Sequence, residues 1–182
     1  MRRTNGIVVV ALLAACAGKA PTGISPRKMA DAIYAVVAAD RTVYTREVVN
    51  RLQDATGIRA SEHFTDDKTL PLPAQMLRMA AESVQKSDKG FTYSLLSPWP
   101  VNKQNAPKTT VEIAGLKEVA TTGGSYYAEE TLGAKKYFTA VYADKAVAQA
   151  CVNCHNDNAD SPRRDFKLGD VMGGVVIRIQ SE

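Results

Sequence analysis

Five consecutive residues near the C-terminal end constrain this chain more than any other feature: Cys151-Val152-Asn153-Cys154-His155. The pattern C-x-x-C-H is the layout for covalent attachment of a c-type haem. Two thiols three positions apart add across the two vinyl groups of one porphyrin. The imidazole that follows is then carried under the iron as its proximal ligand. A chain built this way has to fold around a flat apolar group, and attachment of this kind takes place outside the cytoplasm. Three other uses of the cysteines fit less well. A thioredoxin-like dithiol normally follows a strand of a βαβ unit, and nothing here resembles one. A structural zinc site needs four ligands, and Cys151, Cys154, His155 and the distant His63 make an irregular set. A disulfide across a two-residue spacer is strained as a structural bridge. One motif predicts one covalent haem c.

The N-terminus points to the same compartment independently. Arg2 and Arg3 form a charged start, and Ile7 to Ala15 an apolar run too short to span a bilayer. The run ends in Leu13-Ala14-Ala15-Cys16, which resembles the bacterial lipobox. Residues 1–15 are therefore expected to be a lipoprotein signal peptide. Cys16 is expected to be the lipidated first residue of the mature chain, residues 16–25 a tether, and residues 26–182 a single haem-binding domain. Acyl chains on Cys16 would hold that domain on the periplasmic side of a bacterial membrane. The net charge of +4 is weak evidence for a nucleic-acid partner. Without Arg2 and Arg3 the balance is 21 basic against 19 acidic residues, and no basic run with interleaved aromatics occurs. At 182 residues and 45% hydrophobic, the chain suits one soluble domain with a self-sufficient core.

Periodicity organises the rest. Ser25-Pro26 is a helix start, and Met29, Ile33, Val36, Val37, Tyr44, Val48 and Leu52 recur at spacings of three and four. This predicts one amphipathic helix over about 27–53, with Gly57 beyond its end. Residues 58–70 read as a polar loop, and Pro73 opens a second helix to about Val84. Phe91–Leu96 is β-branched and aromatic and reads as a strand. After a loop over 98–107 come a short helix over 109–120 and a hairpin of strands 125–131 and 135–143 around Gly133. A helix over 144–151 leads into the cysteines, and a strand runs from Gly173 to Ile179. The order predicts an α+β fold with a mainly antiparallel sheet.

The second axial position of the iron has several candidates. Met76 and Met79 lie three apart on one face of the second helix, with Met76 first; either thioether could be the distal ligand or simply pack in the core. Met172 and Met29 are weaker candidates, and His63 reads first as an exposed loop residue. An open or water-bound iron competes with all of these. Arg163 and Arg164 soon follow the motif and could meet the haem propionates or form a solvated surface pair. Trp99, between two prolines, is a loop or core anchor that could also cover a haem face.

The stretch Cys151-x-x-Cys154-His155, Ser161-Pro162, Asp165-Phe166-Lys167, Gly169-Asp170, Met172-Gly173-Gly174 and Val175-Val176-Ile177-Arg178-Ile179 resembles the haem-binding PAS-like family. Leu70-Pro71-Leu72-Pro73-Ala74 and Asn102-Lys103-Gln104-Asn105-Ala106-Pro107 are similar to its patterns upstream. Such domains serve as periplasmic sensor parts of chemotaxis proteins and histidine kinases, and as stand-alone cytochromes in cyanobacteria and other bacteria. The resemblance implies a PAS-like fold, a central antiparallel sheet preceded by long N-terminal helices, often dimeric. It implies haem c held by Cys151 and Cys154 with His155 on the iron, and sensing rather than turnover. One branch of the family uses a Cys on the first long helix as distal ligand, and residues 27–53 here contain none. The chain also lacks a kinase or methyl-accepting domain, so signalling would pass through a partner protein. The expectation is thus a lipid-anchored monohaem cytochrome that senses redox state or a diatomic gas (NO or CO). The alternative is a one-electron carrier between periplasmic redox partners. A haem enzyme ranks last, because His63 is the sole imidazole outside the motif.

Overall fold

The computed structural model describes residues 23–181; the expected signal peptide, Cys16 and most of the expected tether lie outside them. Ser25 caps the first helix, its hydroxyl accepting from the Lys28 backbone N–H at 3.3 Å, and Pro26 takes the first helical position. Helical backbone then runs from Pro26 to Thr56 and ends at Gly57, in the left-handed region at φ 77°. The expected long helix is thus present, but in three pieces. Helix α1 (Pro26–Val43) and helix α2 (Arg51–Thr56) flank seven residues, Tyr44–Asn50, that are π-helical. Thr42 and Thr45 donate their hydroxyls back to Ala38 O and Arg41 O, a pattern that bends helices where the wider turn begins. Sequence periodicity does not register such a segment, because the apolar spacing barely changes across it.

The stretch expected to be a loop over 58–70 holds two-residue strands β1 (Ala60–Ser61) and β2 (Leu70–Pro71), paired in parallel around helix α3 (Phe64–Asp67). Helix α4 (Pro73–Lys86) runs slightly past its predicted end, and strand β3 (Phe91–Leu96) falls where the sequence placed it. Helix α5 (Thr110–Thr122) has a reciprocal capping box. The Thr109 hydroxyl accepts from Glu112 N at 3.1 Å while the Glu112 carboxylate accepts from Thr109 N at 2.9 Å. The hairpin strands are β4 (Ser125–Leu132) and β5 (Lys135–Lys145), and the last strand is β6 (Val171–Ser181). The helix expected over 144–151 is corrected. Strand β5 keeps its ladder to β6 as far as Lys145, which satisfies the backbone there, and helix α6 is Gln149–Asp157, holding the whole cysteine motif.

The sheet is antiparallel, in the order β3-β6-β5-β4. Helix α1 covers one face, where Ala30 packs with Ala140, Tyr142, Val175, Ile177 and Ile179. Helix α5 covers the other, with Leu116 and Val119 against Val141, Ala143 and Val176. Burial on both faces explains why Val175–Ile177 is an unbroken apolar run rather than an alternating one. The two glycines that open β6 allow close approach. A Cβ on Gly173 would collide with the Leu96 carbonyl, and one on Gly174 would stand 2.8 Å from Leu116 Cδ2 and 2.9 Å from Val141 Cγ1.

One charged cluster is built into the α5 face. Arg178 donates from Nη2 to Glu112 Oε1 at 2.6 Å and from Nε to Glu130 Oε1 at 2.7 Å, and Thr139 donates to the same Glu130 oxygen. Burial works against the charge on Glu130. The bonds from Thr139 and Arg178, together with the Arg178 charge, outweigh it and hold the carboxyl below its ordinary value. Removing the cation strands two buried carboxylates. Arg178→Met is expected to cost about 3–5 kcal/mol in urea unfolding. A carboxyl with a lowered folded pKa stabilises fully above its unfolded value and loses that stabilisation as pH falls through the folded one. The wild-type urea midpoint should therefore fall from neutral pH into the acid range, and Arg178→Met should remove that acid loss.

Candidate functional site

Helix α6 bridges the ends of β5 and β6. Its supporting loop is closed at the base by Ala146, whose N–H donates to Asp170 O at 2.9 Å and whose carbonyl accepts from Gly169 N at 3.0 Å. Cys151, Cys154 and His155 stand at helical positions i, i+3 and i+4, so the fold brings all three to one face. Both cysteines are free; Cys151 is half-buried and Cys154 exposed. Beneath them Val152 packs with Ala146, Phe166 and Met172, and Trp99 and Cys151 lie against that cluster. Among the described residues no group of three or more His, Cys, Asp or Glu side chains is arranged for a metal ion.

Asn156, directly after the motif, holds the following loop as a strand partner would. Its Nδ2 donates to Phe166 O at 2.9 Å and its Oδ1 accepts from Phe166 N at 3.1 Å. This seats the buried Phe166 ring edge-on to His155, with centroids 5.8 Å apart. Phe166 also meets Trp99 edge-on at 5.8 Å. Arg163 lies over both rings, 4.3 Å from Phe166 and 4.6 Å from Trp99, and bonds Asp165 at 2.7 Å. Arg164 donates to Ala159 O at 3.0 Å. Trp99 thus anchors the loop under the motif.

Electrostatics favour the un-ionised forms. Burial, then the nearby Arg41 charge, lowers the His155 pKa, so the imidazole is neutral at neutral pH, as ligation of a metal requires. Burial, followed by the charges of Glu62, Cys151 and Asp157, raises the Cys154 thiol. His155 Nδ1 is buried with no hydrogen-bond partner, a condition that costs about 1–3 kcal/mol. Two free thiols one turn apart, a neutral imidazole with an orphaned nitrogen, and an apolar bed of Val152, Phe166 and Met172 fit a covalently held haem.

The structure draws other elements to this face. Glu62 acts on Cys154, and its carbonyl accepts from Gln75 Nε2 of α4 at 2.8 Å. Met79 lies one turn beyond Gln75 on α4 and is 40% exposed, whereas Met76 is half-buried. Neither lines the cavity between α1, α4 and the end of β5; Leu77 does. His63 is exposed at the start of α3. Arg41 of α1 is the residue that sequence reasoning passed over. In Asp40-Arg41 it reads as a solvated helix charge, yet its side chain is 14% exposed and paired with Asp144, itself 12% exposed.

Asn156→Ala removes both bonds to the Phe166 backbone. It is expected to lower stability by about 1–3 kcal/mol, read as a drop in Tm, while far-UV circular dichroism keeps its shape.

The Tll0287-like family model matches residues 24–180. No curated protein matches the chain. Among solved structures, the crystal structure of the cyanobacterial heme-protein Tll0287 matches with a TM-score of 0.56 at 13% identity, covering 87% of this chain and 98% of that one. That likeness shows a shared fold.

Proposed function

We propose that this chain, which belongs to the Tll0287-like family, is an exported monohaem c-type cytochrome that senses redox state or a diatomic gas such as NO or CO. The observation that carries this reading is the placement of Cys151, Cys154 and His155 on one face of α6, with free thiols and a neutral imidazole. Cys151 and Cys154 would hold the haem through thioethers and His155 would take the iron. The bound haem supplies a one-electron ferric–ferrous couple and an iron able to take a small ligand.

The chain's own residues suit sensing. Helix α6 is pinned at its base by Ala146 and at its end by Asn156, so a change at His155 is passed to packed neighbours rather than lost in a mobile loop. The nearest long element is α1, whose Arg41 acts on both Cys151 and His155 just before the π-helical turn. π-Turns inside helices often mark functional sites. Helix α1 in turn leads back toward Cys16, the proposed lipid anchor on the periplasmic face of a bacterial membrane. Among the described residues no helix is long and apolar enough to cross a membrane. The sheet with its long N-terminal helix is read as PAS-like, and the output as passing to a protein partner, with no turnover of its own. A second reading, electron transfer between redox partners, is supported by the exposure of Cys154, which sets one attachment point at the surface.

The optical spectrum of the purified exported protein, ferric and ferrous, with and without CO, tests this. A Soret band that survives denaturation with the polypeptide, and a ferrous spectrum that shifts with CO, is the expected result. No Soret band would end the haem reading; ferrous α and β bands unmoved by CO would put electron transfer first. His155→Ala is expected to abolish the native ferric and ferrous spectra while the thioethers still form. Met76→Ala and Met79→Ala should leave the spectra unchanged if neither is the distal ligand.

A further inference from the structure

At the end of β5, ahead of α6 in the chain, lies a cavity of about 470 Å³ walled by α1, α4 and the last residues of β5. Tyr34, Ala38, Leu77 and Val147 give it a largely apolar lining, and Gly123 and Gly124 form part of its wall. Val147 stands two residues before α6, and the Arg41 charge in this cavity acts on both Cys151 and His155. Two cations reach it, Arg41 and Lys145, and one carboxylate, Asp144. Arg41 spends Nη1 on Asp144, and its Nε is buried without a partner. A guanidinium is a planar fork of five donors that matches a carboxylate in pairs. With one arm on Asp144 and Nε unmet, it is under-satisfied in a site where lost hydrogen bonds are costly. The two arginines closer in sequence to the motif are occupied: Arg163 by Asp165 and two aromatic rings, Arg164 by Ala159 O.

We infer that Arg41 donates to a haem carboxylate at this cavity and, balanced by Asp144, sets how readily the iron is reduced. The inference rests on the haem reading above. Its physical basis is the low polarity of the site, where a unit charge acts far more strongly than in water. A fixed cation opposes the extra positive charge of the ferric iron and favours the ferrous state. A fixed anion does the reverse. Arg41 and Asp144 therefore pull in opposite directions, and a role limited to holding the fold would not produce opposite signs.

The test compares wild-type holoprotein with Arg41→Gln, Arg41→Lys, Asp144→Asn and the double variant Arg41→Gln/Asp144→Asn by spectroelectrochemical titration. Arg41→Gln is expected to lower the ferrous-to-ferric ratio at fixed poise about tenfold, or 59 mV for a one-electron couple. Asp144→Asn is expected to raise it, the double variant to return near wild type, and Arg41→Lys to recover most of the loss. Shifts of the same sign in Arg41→Gln and Asp144→Asn, or Asp144→Asn within twofold of wild type, overturn the inference. Haem staining of the denatured protein separates the two failures. A stained wild type with unmoved ratios removes the role of Arg41 alone, whereas an unstained wild type removes the haem reading and this inference with it.

Discussion

Strand β6 is buried on both faces, and most of the molecule is arranged to keep it so. Val175, Ile177 and Ile179 face α1 while Val176 faces α5, so neither helix can leave without exposing apolar side chains of the strand to water. The close approach depends on missing side chains. Gly173 passes against the Leu96 carbonyl, and Gly174 lets Leu116 and Val141 meet over the strand. Where β6 does carry a charge, at Arg178, that charge is fully engaged by Glu112 from α5 and Glu130 from β4. The ion cluster thereby ties three elements together at the point where an unpaired arginine would be most costly.

The motif helix inherits its position from this arrangement. Strand β5 pairs with β6 as far as Lys145, and the chain then leaves the sheet and returns to it at Val171. Everything between is an excursion held at its base by the Ala146 bonds to Gly169 and Asp170. The excursion would be loose if Asn156 did not clamp Phe166, and if Phe166 did not sit in the small core with Val152, Met172 and Trp99. The rigid sheet thus supports a short helix on an ordered loop, and that helix presents two thiols and an imidazole beside α1.

Much of this was legible beforehand. Strand Phe91–Leu96, the hairpin of strands 125–131 and 135–143 around Gly133, and a helix over 109–120 ending before Gly123-Gly124 follow from β-branched runs and glycine turns, all local signals. The departures are non-local. The helix expected over 144–151 is displaced because pairing across to β6 extends β5, and no property of residues 144–148 announces that. The short parallel bridge of Ala60–Ser61 with Leu70–Pro71 is likewise invisible in a polar stretch. Arg41 was missed for the same reason: its burial depends on Asp144, which lies 103 positions away.

The amino-acid sequence alone carried the C-x-x-C-H motif, because that pattern needs only spacing along one chain, and it determined the α+β class, because hydrophobic period and turn residues are local. Tertiary structure decided which groups stand around that motif. It set Arg41 rather than Arg163 or Arg164 in the cavity between α1, α4 and the end of β5, left Met79 exposed and Met76 outside that cavity, and buried one nitrogen of His155 without a partner. Those outcomes depend on where β6 lets α1, α4 and α6 converge, and convergence of distant elements is a property of packing that no local pattern encodes.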